Sequence, residues 1–357
     1  MKNGAVDFLQ KPFMREALRA RIAQLYQIWQ LNEENRNLRE EIEFTFGYDR
    51  LVGNSRVMLD LKSMITRIGP TDTSVLIQGE TGTGKELVAK ALHFHSRRAE
   101  EVFVPIDCAS ISESIMESEV FGHVKGAFTG AGVSSPGLIR SAEQGTVFFD
   151  EVGELSPAVQ SKLLHVIQER EVRPVGSVKS YPVDVRIIAA TNRDLEEEVV
   201  QGRFREDLFY RLNVVTVWVP SLRKHREDIP LLARFFVKFL GTEFSPVKDI
   251  SKEALMFLEN YSWPGNIREL ENVFRRALAL GKGSEITPED LPRNITGAKA
   301  ASGQDAALPE DALASFEVSA IRNALVKSGG NREKAAQILG IGVATLYRKI
   351  KRYKIVG

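Results

Sequence analysis

One glycine-rich stretch, GETGTGKE at residues 79–86, carries the residue types that phosphate chemistry needs. It follows the apolar run 75–77 and precedes a helical pattern of apolar residues. Glycines allow backbone N–H groups to approach a polyphosphate, and a helix that starts near Lys85 adds the positive end of its dipole. The pattern predicts a P-loop for a nucleoside triphosphate, with the Lys85 ammonium against the outer phosphates. The predicted loop consists of Gly79, Glu80, Thr81, Gly82, Thr83, Gly84, Lys85 and Glu86.

Glu86 stands where the usual P-loop pattern has a serine or threonine that reaches the magnesium ion. Alone, the loop therefore also fits a glycine-rich turn with a solvated lysine. The stretch 145–151 argues against that alternative, because an apolar strand there ends in two acids rather than in an ordinary polar turn. We expect Asp150 to hold Mg²⁺ and Glu151 to polarise the water that attacks the phosphate.

Length and composition bound the class of protein. A chain of 357 residues is too long for one ordinary core, so two or three domains are expected. Hydrophobic content of 43% and charged content of 27% are typical of a soluble globular protein, and the net charge of +1 gives no overall attraction to nucleic acid. The single cysteine, Cys108, excludes an internal disulfide and a cysteine-based metal site. With no signal peptide or membrane-spanning run, these features indicate a cytoplasmic protein.

The elements that position the two motifs follow from the apolar pattern. Residues 48–240 alternate strand and helix patterns, which predicts an α/β domain with a parallel sheet. Residues 241–292 form a small all-helical section, and 293–312 have the small, polar composition of a flexible linker. Strands are expected at 75–77, 102–106, 146–149, 185–190 and 214–219.

The N-terminal part contains two further segments. Residues 1–13 are too few for a domain and resemble the tail of a response-regulator receiver domain; a short N-terminal arm is the alternative. Residues 14–47 are predicted to form a linker helix, since helix formers dominate and Gly and Pro are absent up to residue 43. Apolar stripes that include Leu18 and Ile22 suit a coiled coil with a second copy, or a helix packed on its own domain.

Residues 313–357 hold three helical patterns and a helix-turn-helix signal. Gly340 marks a tight turn between an alanine-rich helix and a basic one. Five basic residues and no acid occur within 341–357. These side chains suit DNA phosphates and base edges, while a solvated amphipathic helix is the alternative. The predicted DNA-binding residues are Thr345, Tyr347, Arg348, Lys349, Lys351 and Arg352.

The stretch GAFTGA lies between the two nucleotide motifs and suits a mobile tip that presents one aromatic ring. A surface turn with a buried Phe128 would be the plainer interpretation. The six residues resemble the signature loop of the bacterial enhancer-binding proteins, the AAA+ activators of sigma-54 RNA polymerase. In that family, glutamate after the P-loop lysine is normal. The resemblance extends over about residues 48–292 and 313–355. The loop residues are Gly126, Ala127, Phe128, Thr129, Gly130 and Ala131.

This resemblance implies an AAA+ P-loop ATPase with a parallel sheet, a helical lid subdomain and a C-terminal all-α domain of the Fis type. It implies ATP and Mg²⁺ as cofactors, and sigma-54 RNA polymerase and upstream double-stranded DNA as partners. The resemblance also implies a ring of six or seven subunits built from dimers. It implies no membrane as a partner. The activator would use ATP hydrolysis to convert the closed promoter complex into an open one, within the two-component response-regulator lineage.

Residue roles are implied where the family motifs match. Asn192 resembles the sensor of the γ-phosphate, while Arg205 and Arg211 resemble arginine fingers that reach a neighbouring subunit's nucleotide. Guanidinium groups suit that task because they stay charged and fork onto phosphate oxygens. Surface salt bridges with Glu206 and Asp207 are the alternative for the two arginines.

The adenine end of the site is also implied by resemblance. Val52 and Gly53 match the segment that lines the base, and Arg268 matches the second sensor on the nucleotide. A helix-capping turn is the alternative for the Trp-Pro-Gly segment before Arg268.

Two departures from the family pattern stand out. Asp107 replaces the usual asparagine near the catalytic acid, and an ionised Asp107 would repel Glu151 if the two were close. The predicted recognition helix begins Gly-Val-Ala at 342–344, where relatives often carry Ser and Arg, so its N-cap is weaker and its sequence preference is not transferable.

Other functions remain open on the sequence. A DNA-binding regulator could use nucleotide only as an assembly switch, although the intact Asp150 and Glu151 oppose this. An AAA+ ATPase could remodel other proteins, which the GAFTGA stretch opposes. A metabolite kinase fits less well, because nothing resembles an acceptor pocket.

Overall fold

The computed structural model describes residues 15, 19, 21–27, 30, 50–128, 131–241, 247, 249–281, 283–296 and 332. The chain divides into two compact units, Met1–Thr296 and Gly297–Gly357. Residues 21–27 are helical, as the linker pattern predicts, and the Ile22 side chain is 57% exposed. The coiled-coil pairing stays a prediction, and the predicted DNA-binding residues lie outside the described ranges.

The first seven strands of the larger unit are β1 (Val75–Gln78), β2 (Phe103–Asp107), β3 (Thr146–Asp150), β4 (Glu171–Val172), β5 (Tyr181–Pro182), β6 (Arg186–Thr191) and β7 (Val215–Trp218). Five of them form a parallel sheet in the order β2-β3-β6-β1-β7. A short antiparallel pair, β4 with β5, forms a separate sheet.

The strand predictions are confirmed, with every boundary of the five sheet strands shifted by about one residue at most. β1 and β6 are buried along their whole length, in keeping with their apolar runs at 75–77 and 187–190. The α/β fold with a parallel sheet is therefore as the sequence predicts.

Helices cover both faces of the sheet. Alternate strand residues point to opposite faces, so Ile77 packs in one apolar cluster and Leu76 in the other. The first helix buries Met58, Leu61 and Ile65 at helical spacing. These helices are α1 (Arg56–Ile68), α2 (Lys85–Phe94), α3 (Glu113–Phe121), α4 (Leu138–Ser141), α5 (Pro157–Glu169), α6 (Leu195–Val200) and α7 (Glu206–Leu212).

A second apolar core runs from Leu222 to Ile295 and forms a helical subdomain, called the lid below. Trp263 is fully buried in it, and its indole N–H donates to the Leu258 carbonyl at 2.8 Å. The lid elements are α8 (Ile229–Leu240), β8 (Asp249–Ile250), α9 (Lys252–Asn260), α10 (Asn266–Leu280), β9 (Glu285–Ile286) and α11 (Arg293–Thr296).

The packing differs from the expected boundaries at 240/241 and 292/293. The sequence pattern assigns helix α8 to the α/β core, but its buried face packs in the lid, where the Phe236 and Phe274 rings lie 5.8 Å apart. The composition assigns residues 293–296 to the linker, yet Ile295 of α11 is buried in the same core. Apolar contacts thus extend the lid to residues 222–296.

His93 is an ionisable group enclosed in the α/β core. Its side chain is 1% exposed, and its Nδ1 lies 2.9 Å from the Thr146 hydroxyl oxygen. Burial lowers the pKa of His93 to about 4, and the nearby Arg186 charge lowers it as well. The histidine is therefore neutral in the folded protein at neutral pH.

The stability of the fold should depend on pH through His93. The unfolded histidine takes up a proton near pH 6.5 and the folded one only near pH 4, so the free energy of unfolding falls as pH falls between these values. The expected loss is about 2–3 kcal/mol, and His93→Gln should remove most of it. Urea unfolding of the full chain at pH 7, 6, 5 and 4.5 measures the effect.

The matched control is Thr146→Val, which removes the hydroxyl beside the ring but leaves the histidine in place. This variant should keep the fall in stability between pH 6.5 and 4. An unchanged pH dependence in His93→Gln would contradict the assignment.

Candidate functional site

Three turns meet at one edge of the parallel sheet. β1 leads into the P-loop, β3 ends at Asp150, and β6, which lies between them, leads into Asn192. Their registers align Ile77 with Ala190 and Phe149 with Ala189, so the strands end at similar levels. The strand order thus brings together motifs that are far apart in the sequence.

Lys85 is the first residue of α2 and is 6% exposed. Its Nζ lies 3.1 Å from the Gly79 carbonyl oxygen and 3.3 Å from Glu151 Oε1. Gly84, just before it, has φ of 91°, a conformation that glycine adopts at little cost. The loop geometry therefore holds an ammonium group against a carboxylate at the N-terminus of a helix.

Glu151 is held at both of its carboxylate oxygens. Oε1 contacts Lys85, and Oε2 accepts the backbone N–H of Asn192 at 3.0 Å. The Asn192 side-chain amide donates to Thr81 Oγ1 at 2.9 Å. Glu151 also has φ of 53°, which costs a non-glycine residue about 1–3 kcal/mol. This network closes around the P-loop and fixes the direction of the carboxylate.

Asp150 has a perturbed acidity. Burial and the neighbouring Glu151 charge raise the pKa of Asp150, whereas the Lys85 charge lowers it, and Asp107 adds a further raising effect. A carboxylate in this setting gains from a nearby cation. Within the described ranges, no group of three or more His, Cys, Asp or Glu side chains could hold a metal alone. Two acids suit Mg²⁺, which uses one or two carboxylates together with substrate phosphates.

Asp107 ends β2 directly opposite Asp150 in the strand register. Its Oδ1 accepts the backbone N–H groups of Ala109 at 3.0 Å and Ser110 at 3.3 Å. The side chain is thus engaged in its own turn. Its charge contributes the smallest of the effects that raise the pKa of Asp150.

A cavity of about 380 Å³ lies between the P-loop and the lid. Its polar end contains P-loop residues 81–86 with Asp150 and Glu151, and Arg268 lines it from the lid. Such a site combines anion-binding groups with walls that suit a planar base. The apolar and aromatic walls come from Leu51, Val52, Leu232, Phe235, Phe236 and Ile267.

Three predicted nucleotide-binding residues, Gly53, Gly79 and Glu80, lie outside the lining of this cavity. Gly79 and Glu80 line a neighbouring depression together with Asn192. Gly53 lies behind Val52, where its carbonyl accepts from Lys62 Nζ at 2.9 Å. A Cβ on Gly53 would lie 2.8 Å from the Met58 side chain, so the tight turn requires glycine.

The lid binds the P-loop directly, which the sequence did not predict. The buried Asn266 donates its side-chain amide to the Thr81 carbonyl at 3.0 Å, and the Arg268 N–H donates to the Gly82 carbonyl at 3.2 Å. A Cβ on Gly82 would lie 2.3 Å from the Gly265 carbonyl oxygen. The sequence signal was an asparagine after Trp-Pro-Gly, which was interpreted only as part of a sensor or capping turn.

Of the predicted arginine fingers, Arg205 immediately precedes α7 and Arg211 lies within it, and neither lines the cavity described above. Arg205 forks onto the Asp207 carboxylate at 3.0 and 2.7 Å and donates to Ser161 Oγ at 3.2 Å. Arg211 is exposed on the same helix. The salt-bridge alternative therefore holds for Arg205 with Asp207, in this single chain.

The described residues of the GAFTGA stretch are joined by two backbone hydrogen bonds. The Gly126 N–H donates to the Ala131 carbonyl at 2.9 Å, and the Ala131 N–H donates to the Phe128 carbonyl at 3.0 Å. Phe128 is 46% exposed, so it is not the buried ring of the plainer interpretation. Thr129 and Gly130 lie outside the described residues.

His123 contacts residues on both sides of the GAFTGA stretch. Its backbone exchanges hydrogen bonds with Ser135 at 3.0 and 2.9 Å, and its Nε2 lies 2.9 Å from the Val133 carbonyl. The His123 and Phe128 rings meet edge to face at 5.2 Å. The Phe128 ring therefore packs against His123 at the base of its own loop.

Comparison with known proteins identifies the chain. Residues 51–218 match the Sigma-54 interaction domain, 223–308 match the AAA+ ATPase lid domain, and 312–353 match the Bacterial regulatory protein, Fis family. The chain is 47% identical over 356 residues to the transcriptional regulatory protein ZraR of Klebsiella oxytoca, covering 99% of this chain and 79% of that protein. It belongs to the sigma-54-dependent transcriptional activators.

Another relative and two solved structures are also similar to this activator over nearly its whole length. The regulatory protein AtoC of Escherichia coli K12 is 41% identical, covering 99% of this chain and 78% of that protein. The crystal structure of NtrX from Brucella abortus in complex with ADP has a TM-score of 0.70 at 34% identity, again covering 99% and 78% of the two chains. The NtrX structure in complex with ATP gives the same values.

Family membership confirms several predictions. The activator is an AAA+ ATPase that binds ATP and carries a helix-turn-helix DNA-binding domain, and its homologues are two-component response regulators. Sigma-54 RNA polymerase and DNA are its implied partners. Among the residues described, no helix has the length and apolar character that crossing a membrane requires.

The geometry at Glu151 makes a testable prediction. Glu151→Gln keeps the size of the side chain and an oxygen for the Asn192 N–H, but the neutral amide cannot accept a proton from water. We expect ATP affinity to stay within about threefold, while the hydrolysis rate falls by about 10²–10⁴-fold. Titration with a fluorescent ATP analogue and steady-state phosphate release measure the two quantities.

The matched control is Glu154→Gln, three residues further on, where the carboxylate pairs with Arg193. It should leave affinity and hydrolysis nearly unchanged. Equal losses of hydrolysis in both variants would contradict a specific role of Glu151.

Proposed function

We propose that this activator works as a ring in which ATP and Mg²⁺ bind between the P-loop and the lid of one subunit. Arg205 and Arg211 of the next subunit complete that site. The observation that carries the proposal is Glu151, which Lys85 and Asn192 hold at the polar end of the cavity. Hydrolysis in the ring remodels the sigma-54 RNA polymerase closed complex to an open one.

The hydrolysis step follows from competition for Lys85. Phosphate oxygens compete with Glu151 for the ammonium group, and this competition frees the carboxylate to accept a proton from the attacking water. Asn192 bonds both the Glu151 carboxylate and Thr81 of the P-loop, which suits a sensor between the base and the phosphates. Mg²⁺, held by Asp150, would neutralise charge on the phosphates.

A second subunit supplies what one chain lacks. Arg205 is tied to Asp207 and Arg211 is exposed, both away from the cavity of their own chain. A guanidinium group delivered from outside stabilises the charge that develops on the transferred phosphoryl group. Arg268 of the lid would contact the nucleotide from within the same chain, and Val52 would contact the adenine.

The coupling element is the loop that carries Phe128. Gly122 and Gly137, both with φ of 80°, pass so close that a Cβ on Gly137 would lie 2.2 Å from the Gly122 nitrogen. The intervening residues therefore leave and rejoin the core at a single point. Residues 126–131 at its tip would contact sigma-54, with Phe128 and Thr129 at the centre.

DNA tethering completes the proposal. The Fis-family match at 312–353 supports a helix-turn-helix that includes the predicted basic helix. Thr345, Tyr347, Arg348 and Lys349, with the other two predicted basic residues of that helix, would contact phosphates and base edges of upstream sites. All of this takes place in the cytoplasm, where promoter DNA and polymerase are. A promoter-opening assay with sigma-54 holoenzyme, enhancer DNA and ATP tests the function as a whole.

Mixing two inactive variants tests the shared site. Lys85→Ala loses phosphate binding but keeps its arginines, whereas Arg211→Ala keeps its P-loop and should lose about 10³-fold in hydrolysis. In a random equal mixture, about one interface in four pairs an intact P-loop with an intact arginine. Phosphate release should therefore recover to a sizeable fraction of the wild-type rate.

In the control mixture, Arg67→Ala takes the place of Arg211→Ala. Arg67 is an exposed residue of α1, so the Arg67→Ala variant should be active alone. Failure of the first mixture to recover activity, with both variants folded and assembled, would refute a site completed in trans.

Substitution in the loop tests the coupling. Thr129→Ala should keep at least about half of the ATPase rate, since the loop lies apart from the phosphate-binding groups, yet it should lose open-complex formation. Permanganate footprinting of the promoter and phosphate release in the same samples measure both activities. The control is Thr66→Ala on the exposed face of α1, which should keep both. A parallel loss of ATPase and promoter opening in Thr129→Ala would argue against a separate coupling loop.

A further inference from the structure

Asn266, the first residue of α10, lies between the lid and the P-loop. It is fully buried, and its φ of 53° is unusual for a residue other than glycine. A polar amide held in this way requires hydrogen-bond partners on every side. Its surroundings supply them from two separate parts of the chain.

Both donors and the acceptor of the Asn266 amide are used. Nδ2 donates to the Thr81 carbonyl at 3.0 Å and to Glu80 Oε2 at 3.2 Å. Oδ1 accepts the Leu222 N–H at 2.9 Å, at the start of the lid. One side chain thus joins the first and the central segments of the lid to two consecutive P-loop residues.

Neighbouring contacts strengthen the same junction. Arg223 forks onto the Glu80 carboxylate, with one N–H···O distance of 2.7 Å. The Arg223 contact lowers the pKa of Glu80, and the Asn266 hydrogen bond does the same, against the raising effect of burial. The Arg268 N–H holds the Gly82 carbonyl. Three successive P-loop residues, 80–82, are therefore bound by the lid.

The contacts continue from the lid to the catalytic carboxylate. Asn266 holds the Thr81 carbonyl, the Thr81 hydroxyl accepts from the Asn192 amide, and the Asn192 N–H donates to Glu151. Glu151 in turn contacts Lys85 at 3.3 Å. Each link joins groups within hydrogen-bonding distance, so a shift of the lid changes the position of the first link directly.

We propose that Asn266 is a positioning residue through which the lid sets the shape of the P-loop and the direction of Glu151. When the lid moves with the nucleotide, Asn266 carries that movement to the Thr81 backbone, and the Asn192 bond carries it to the base. This role rests on the proposed nucleotide site at residues 79–86. It differs from contact with ATP, because Asn266 bonds protein groups at all three of its polar positions.

Asparagine suits this position for stated chemical reasons. Aspartate has the same shape but donates no hydrogen bond, and its charge would face the Glu80 carboxylate. Glycine accepts the left-handed backbone without strain and removes only the side-chain bonds. Asn266→Gly therefore isolates the amide from the backbone requirement, and Asn266→Asp tests its two donors.

The experiment measures kcat and KM for ATP with the full chain, together with the thermal unfolding midpoint. Asn266→Gly should lower kcat/KM by about ten- to a hundredfold, with a fall in kcat, because the loss of two donors misplaces the P-loop and the base. Asn260→Gly, an exposed asparagine at the end of α9, is the matched control and should keep both constants. Assays run well below each variant's unfolding midpoint, so a purely structural role would leave kcat and KM unchanged.

A double-mutant cycle tests the Glu80 contact. In Asn266→Asp combined with Glu80→Gln, the glutamine amide can donate to the new carboxylate, so kcat/KM should exceed the value expected from the two single variants by at least about threefold. Strict additivity of the two changes, or wild-type constants in folded Asn266→Gly, would overturn the proposal. Lys85→Ala separates this failure from that of the site itself: undiminished hydrolysis there would refute the nucleotide site, whereas its inactivity alongside a normal Asn266→Gly refutes only the role of Asn266.

Discussion

The contact between Lys85 and Glu151 depends on most of the α/β core. An ammonium group from the turn after β1 meets a carboxylate from the turn after β3, although β6 separates the two strands. Only a parallel sheet that ends its strands at one level brings these groups within 3.3 Å. The pair balances two charges at a partly enclosed site, and phosphate oxygens would exchange one partner of the lysine for another. In the proposed ATPase site, Lys85 and Glu151 thus compensate each other's charge, and the proposed base is held by the group that would engage the phosphates.

Two buried polar side chains, Asn266 and Asp228, join the lid to the core. Asn266 binds the P-loop, and Asp228 accepts the N–H groups of Asn54 at 2.7 Å and Ser55 at 2.9 Å. Although burial opposes it, these hydrogen bonds keep the pKa of Asp228 below its usual value, with help from the nearby His225. Directional polar bonds of this kind fix an orientation more sharply than apolar contact does. The lid therefore contacts residues 54–55 and the P-loop through defined hydrogen bonds.

The sequence was most informative where local chemistry decides structure. The P-loop, the acid pair and the five apolar strand runs were all recognisable, because glycine, lysine and buried parallel strands leave strong local patterns. Less local features were missed. Helix α8 carries an apolar face that fits either subdomain, and only tertiary packing assigns it to the lid. The resemblance left open whether Asp107 lies close enough to repel Glu151, and two backbone N–H groups of its own turn engage it. The bonds of Asn266 join residues about 185 positions apart, beyond the reach of any periodic pattern.

The crossing of Gly122 and Gly137 has a consequence for which residues can stand at these two positions. Because the two backbones touch, the residues between them leave the core and return to it at one place. They are also held further out, since the Val124 N–H donates to the Val175 carbonyl at 3.1 Å and Ala131 is buried. The exposed Phe128 therefore projects from a segment that is fixed at its base. A side chain at either glycine would force the two backbone segments apart, and it would thereby shift the base from which Phe128 projects.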